Sequence, residues 1–237
     1  MKTRLFSLYT LLFTILIHAQ APVGAWEAIT TDEQGLEIRM VGIITENHYQ
    51  VLSRYEAQSG KFIDTNGGRW SLDGNTMTEI VEFDSSQNER VGDTITFQVK
   101  VTSDTFTIIE DNFEFHRIDD GTDSPLAGAW FFTGRKRNGE IQTRDPNLPR
   151  RTMKILSSTR FQWIAYNTET KSFMGTGGGT YTAKDGIYTE NIEFFSRDDS
   201  RVGAQLEFQY EIKEGNWHHS GKNSKGEPLY EIWTRGN

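Results

Sequence analysis

The chain has no cysteine among its 237 residues, which excludes disulfides, thiolate metal ligands and a lipid-bearing leader cysteine. Stability has to come from burial alone. Its leading apolar stretch, Leu5 to Ile17, is only 13 residues and is interrupted by Ser7, Thr10 and Thr14, against roughly 20 needed to cross a bilayer. Lys2 and Arg4 precede that stretch, and His18-Ala19 offers a small residue before Gln20, the pattern of a cleaved secretory leader. Residues 1–19 are read as a signal peptide, the mature chain being periplasmic or extracellular with no membrane span. Positive charge is also in deficit. The 25 Lys and Arg face 33 Asp and Glu, giving −8, or −10 once Lys2 and Arg4 leave with the leader. Repulsion from phosphates then argues against nucleic acid as a partner.

What the chain does have is a second copy of itself. Gly24-Ala25-Trp26 returns as Gly128-Ala129-Trp130. Tyr55, Gly67-Gly68, Thr78-Glu79, Glu82-Phe83, Arg90-Val91-Gly92 and Phe97 return 111 positions later as Tyr166, Gly178-Gly179, Thr189-Glu190, Glu193-Phe194, Arg201-Val202-Gly203 and Phe208. A fixed offset over such a distance means two copies of one fold. The halves are placed at 24–118 and 128–236, joined by a polar linker at 119–127 that opens on Asp119-Asp120-Gly121-Thr122.

Helical periodicity is missing from both halves. Apolar residues recur at a period of two, and turn formers interrupt them every eight to twelve positions. In the second half strands are expected near 128–133, 151–157, 160–167, 173–182, 187–195, 204–213, 216–220 and 228–234. Eight strands in sequence suit an antiparallel up-and-down meander. A sheet with one apolar face per strand removes its edges by closing, so the fold class is all-β, two tandem small barrels after the leader.

The ordered set of a Gly-x-Trp first strand, Gly177-Gly178-Gly179-Thr180-Tyr181, Tyr188-Thr189-Glu190, Trp217-His218-His219 and Glu231-Ile232-Trp233 resembles the lipocalin-like (calycin) barrels of exported bacterial proteins. The resemblance covers the second half and is weaker in the first, where Phe106 stands in place of Trp217 and no histidine follows. It implies a barrel with a ligand-sized interior and no reaction.

Alternation puts Glu190 on one face with Tyr188, Ile192 and Phe194, and its copy Glu79 with Met77, Val81 and Phe83. A carboxylate facing a barrel interior loses hydration worth several kcal/mol unless it is paired, hydrogen-bonded or protonated. Glu82 and Glu193 fall on the other face and are expected in solvent. For Glu79 a structural hydrogen-bonding role is favoured. In the second barrel Glu190, His219, Glu231 and Tyr181 converge among Trp163 and Trp233, with Arg135 and Arg137 near the entrance. These eight residues form the expected ligand site, for a small amphipathic or anionic molecule. No cofactor is expected, nor a metal, because His218 and His219 point to opposite faces and no ligand spacing is present. The Gly177-Gly178-Gly179 run lacks the Lys-Ser/Thr and helix start of a phosphate loop and is read as a bulge or close strand packing. A non-enzymatic binding protein is the favoured function. The alternatives are a hydrolase or isomerase using Glu190 and His219 for proton transfer, and an interaction protein with filled barrels.

Overall fold

A computed structural model describes residues 21–222 and 226–236 of the chain; the leader expected over 1–19 lies outside them. Side chains point alternately inward and outward along the barrel strands, so one row lines each closed interior. The first barrel runs in chain order through β1 (Gly24–Thr31), β2 (Glu37–Ile44), β3 (Tyr49–Glu56), β4 (Phe62–Asp73), β5 (Thr76–Asp84), β6 (Thr94–Val101), β7 (Thr105–Ile108) and β8 (Phe113–Asp119). Antiparallel pairing of β8 with β1 closes it. The second runs through β9 (Gly128–Arg137), β11 (Arg150–Leu156), β12 (Arg160–Asn167), β13 (Ser172–Lys184), β14 (Ile187–Phe195), β15 (Gln205–Lys213), β16 (Asn216–Lys222) and β17 (Pro228–Arg235), closed by β17 on β9. The protein is thus all-β, with two closed eight-stranded antiparallel barrels in tandem. One strand falls outside the expected set: β10 (Glu140–Thr143) folds back on the end of β9 as a hairpin. Among the described residues no helix is long and apolar enough to cross a membrane.

Each barrel carries a register shift beside its paired glycines. Gly67 faces Phe83 and Gly68 faces Val81, leaving Glu82 as the extra residue; Gly178 faces Phe194 and Gly179 faces Ile192, leaving Glu193. A methyl at Gly178 would lie 2.7 Å from both the Phe161 carbonyl oxygen and the Phe194 ring, so the close approach of strands requires glycine. The bulge ends the simple alternation, and two expectations fall with it. Phe194 and Phe83 leave the interior row: Phe194 clusters with Val41 and Tyr55, and Phe83 with Tyr166 and Ile164. Glu82 is buried rather than solvated, and Glu193 is held in a cluster of cations.

Those residues build the contact between the barrels, which pack side by side through the outer faces of β2–β5 and of β9 and β11–β14. Tyr55 donates to Glu193 at 2.8 Å, and Tyr166 donates to Glu82 at 2.5 Å. Arg160 and Arg39 reach Glu193 at 2.6 and 3.2 Å; Arg151 and Arg69 reach Glu82 at 3.0 and 3.6 Å. Burial pushes the Glu193 carboxyl up, but Arg160, Tyr55 and Arg39 together hold it below its ordinary range. Between the two clamps, the Gln162 amide donates to Thr65 at 3.0 Å and to its repeat partner Thr176 at 2.9 Å. Residue i of one copy contacts j of the other, and j contacts i. This is the reciprocity of a two-fold contact between identical subunits, here within one chain.

Candidate functional site: a filled barrel and an open one

Glu190 lies inside the second barrel with 5% of its surface exposed. Its partner is Lys154 on β11, whose ammonium stands 2.8 Å away with both side chains 6% exposed. The same ammonium lies 5.0 Å from the ring centroids of Tyr188 and Trp217, 5.4 Å from Trp233 and 5.9 Å from Phe208. Burial between such rings is compensated by the carboxylate and by the ring faces. Lys154 is the central residue that sequence reasoning passed over. Its signal was present, as a cation at the position that faces Trp130 across the first hairpin.

His219 Nδ1 donates to Glu231 at 3.3 Å, and Trp233 Nε1 donates to the same oxygen at 3.2 Å. Burial, then the charge of Lys154, lowers the His219 pKa, so the imidazole is neutral near pH 7 and the Glu231 bond selects its tautomer. Burial raises Glu231, but the His219 bond, the charge of Lys154 and the Trp233 bond bring it below its ordinary value. Among the described residues the His219 Nε2 lone pair and Trp217 Nε1 have no hydrogen-bond partner.

The sequence-derived site is therefore assembled in part. Glu190, His219, Glu231 and Trp233 share the interior, but Glu190 binds Lys154 and His219 binds Glu231, so the acid–base couple expected of Glu190 with His219 does not form. Tyr181 donates instead to the Ser157 carbonyl at 2.6 Å. Trp163 packs at 5.5 Å on Phe195. Arg135 and Arg137 are exposed on the β9–β10 hairpin, where Arg135 donates to Gln142 at 3.2 Å.

Strand register transfers each of these positions to the first barrel. Trp26 faces Gly42 as Trp130 faces Lys154. Ile108 faces Phe113 as His219 faces Glu231. The first copy therefore keeps the carboxylate, as Glu79, and lacks the lysine, the histidine and the second acid. A partly open cavity of about 70 Å³ takes their place, with Gly42, Glu79, Met77, Phe97, Phe106 and Phe115 in its wall. A methyl at Gly42 would have its nearest neighbours at 3.8 and 3.9 Å. Glycine here is not required by the backbone; it leaves room. Glu79 makes no hydrogen bond or ion pair among the described residues. Burial pushes its carboxyl up to about 7, opposed only by the charge of Arg90. Alignment at a fixed offset of 111 hid Gly42, because β2 and β11 match at 112.

Among the described residues no group of three or more His, Asp or Glu is placed to hold a metal ion. In comparison with known families, residues 125–237 match the model of a domain of unknown function (DUF4488). That span is the second barrel with its lead-in. No curated protein matches the chain.

Proposed function

We propose that the protein is an exported, non-enzymatic binding protein that holds a small amphipathic molecule in its first barrel, with the second barrel as its self-filled partner. The observation that carries this reading is the apolar cavity beside an unpaired carboxyl group. Burying an ionisable group without a partner costs several kcal/mol, and a guest that hydrogen-bonds or neutralises Glu79 recovers part of that cost. Each methylene the guest buries adds about 0.8 kcal/mol. The resemblance to lipocalin-like barrels agrees with a ligand-holding interior, and the leader pattern at 1–19 with export. A negatively charged guest is disfavoured beside Glu79, so an anion finds better company at Arg135 and Arg137 outside the second barrel. A hydrolase or isomerase built on Glu190 and His219 has no support in the geometry, since each is bound to a different partner.

Trp26 lines the cavity, so tryptophan emission and melting temperature report on occupancy. Small amphiphiles are expected to shift both in the native chain and neither in Gly42→Leu, whose side chain fills the space. If no amphiphile shifts either signal in the native protein, the reading fails.

A further inference from the structure

The second barrel displays the chemistry that the first one lacks. A lysine side chain is a tethered n-butylammonium ion, and Lys154 places that group on Glu190 within 6 Å of four aromatic ring centroids. Three of those rings have aromatic counterparts in the first barrel. Phe97 takes the place of Phe208, Phe106 of Trp217 and Phe115 of Trp233, and all three line the cavity. Met77 takes the place of Tyr188 and supplies a polarizable thioether. Glu79 takes the place of Glu190. Only the alkylammonium is missing, and the space it would occupy opens at Gly42.

We infer that the first barrel binds small primary alkylammonium ions, the charged head on Glu79 and among Phe97, Phe106 and Phe115, the alkyl chain lying where Lys154 lies in the other copy. The inference rests on the reading of that cavity as the ligand site and adds the class of ligand. Ring faces attract cations, and the carboxylate supplies a hydrogen-bonded counter-charge. Neutral guests of the same shape gain only from burial. Among the described residues Glu79 is the one ionisable residue in the cavity wall, and Arg90 is the one other charge that acts on it. Uptake is therefore strongest at pH values where the amine is protonated and Glu79 is not, and it weakens as pH falls through 7.

The test is titration of the full mature chain with n-butylamine and with n-butanol at pH 8.5, read by calorimetry and tryptophan emission. One n-butylamine is expected to bind per chain, at least tenfold more tightly than n-butanol. Glu79→Gln should remove that preference. Gly42→Lys should abolish binding by placing a tethered ammonium on Glu79, and Glu79→Gln keeps the test decisive if Gly42→Lys does not fold. Equal binding of amine and alcohol, unchanged in Glu79→Gln, overturns the inference while leaving the cavity as a ligand site. Binding of neither compound overturns both.

Discussion

The two barrels share a wall and an inward-facing glutamate, buried as Glu190 and half-buried as Glu79, and differ in what stands beside it. In the second copy Lys154 neutralises Glu190, and His219 with Glu231 fills the neighbouring space. In the first, Gly42, Ile108 and Phe113 leave Glu79 facing a cavity with no ion-pair partner among the described residues, only the charge of Arg90 acting on it without an ion pair. A repeated acid is therefore not by itself a repeated site. Its role is set by positions on other strands: glycine for lysine at Gly42, with Ile108 and Phe113 for His219 and Glu231, separates an open interior from a packed one.

The largest effect expected from breaking this contrast is in the second barrel. Lys154→Met leaves Glu190 buried without a partner and should destabilise the protein by about 3–5 kcal/mol, measured as a lower urea midpoint. Gly42→Lys in the first barrel supplies the same partner to Glu79 and should raise that midpoint.

Glu79→Gln ranks next, with the opposite sign. A native pKa near 7 against 4.5 unfolded means that the folded state binds the extra proton, so this group's stability contribution is full below pH 4.5, declines between 4.5 and 7, and is lost above 7. The substitution should stabilise the protein by about 2–3 kcal/mol at pH 8 and by little at pH 4. An unchanged pH dependence of stability in Glu79→Gln would count against the desolvated carboxyl.

The clamps between the barrels provide a symmetric control. Tyr55→Phe and Tyr166→Phe each remove one hydroxyl from a carboxylate and should each cost about 1–2 kcal/mol by urea denaturation, to similar extents if the two-fold reciprocity is real. Glu193, held below 4.5, gives its clamp the reverse pH profile from Glu79. Its contribution is present above pH 4.5 and lost as pH falls through the lowered native value. The smallest effect belongs to Arg135→Ala with Arg137→Ala. Exposed and away from the core, they should change stability by no more than about 0.5 kcal/mol and leave amphiphile binding unchanged.

Much of the architecture was legible in the residues. The duplication, the eight strands of each meander and their closure all follow from period-two patterning and a fixed offset. The bulges were signalled by Gly67-Gly68 and Gly178-Gly179, yet their effect on direction was not, because alternation carries no marker of where a strand gains a residue. Unbroken alternation therefore puts Phe194 inside and Glu193 in solvent, whereas the structure sets both against the other barrel. At the site, sequence pattern brought Glu190, His219, Glu231 and Trp233 to one interior but paired Glu190 with the wrong group. Pairing across a barrel depends on which strands face each other through the core, and Lys154 and Glu190 are 36 positions apart with no local pattern joining them. The vacancy at Gly42 was hidden for a related reason, since a space is read only by comparing what each copy puts there.

The central claim is tested most directly by following the Glu79 carboxyl carbon by NMR as pH is varied, in the native chain and in Gly42→Lys. The account predicts a midpoint near 7 in the native protein and a marked fall when a lysine enters from the neighbouring strand. A native midpoint at the ordinary value of 4.5, unmoved by the new lysine, would contradict it.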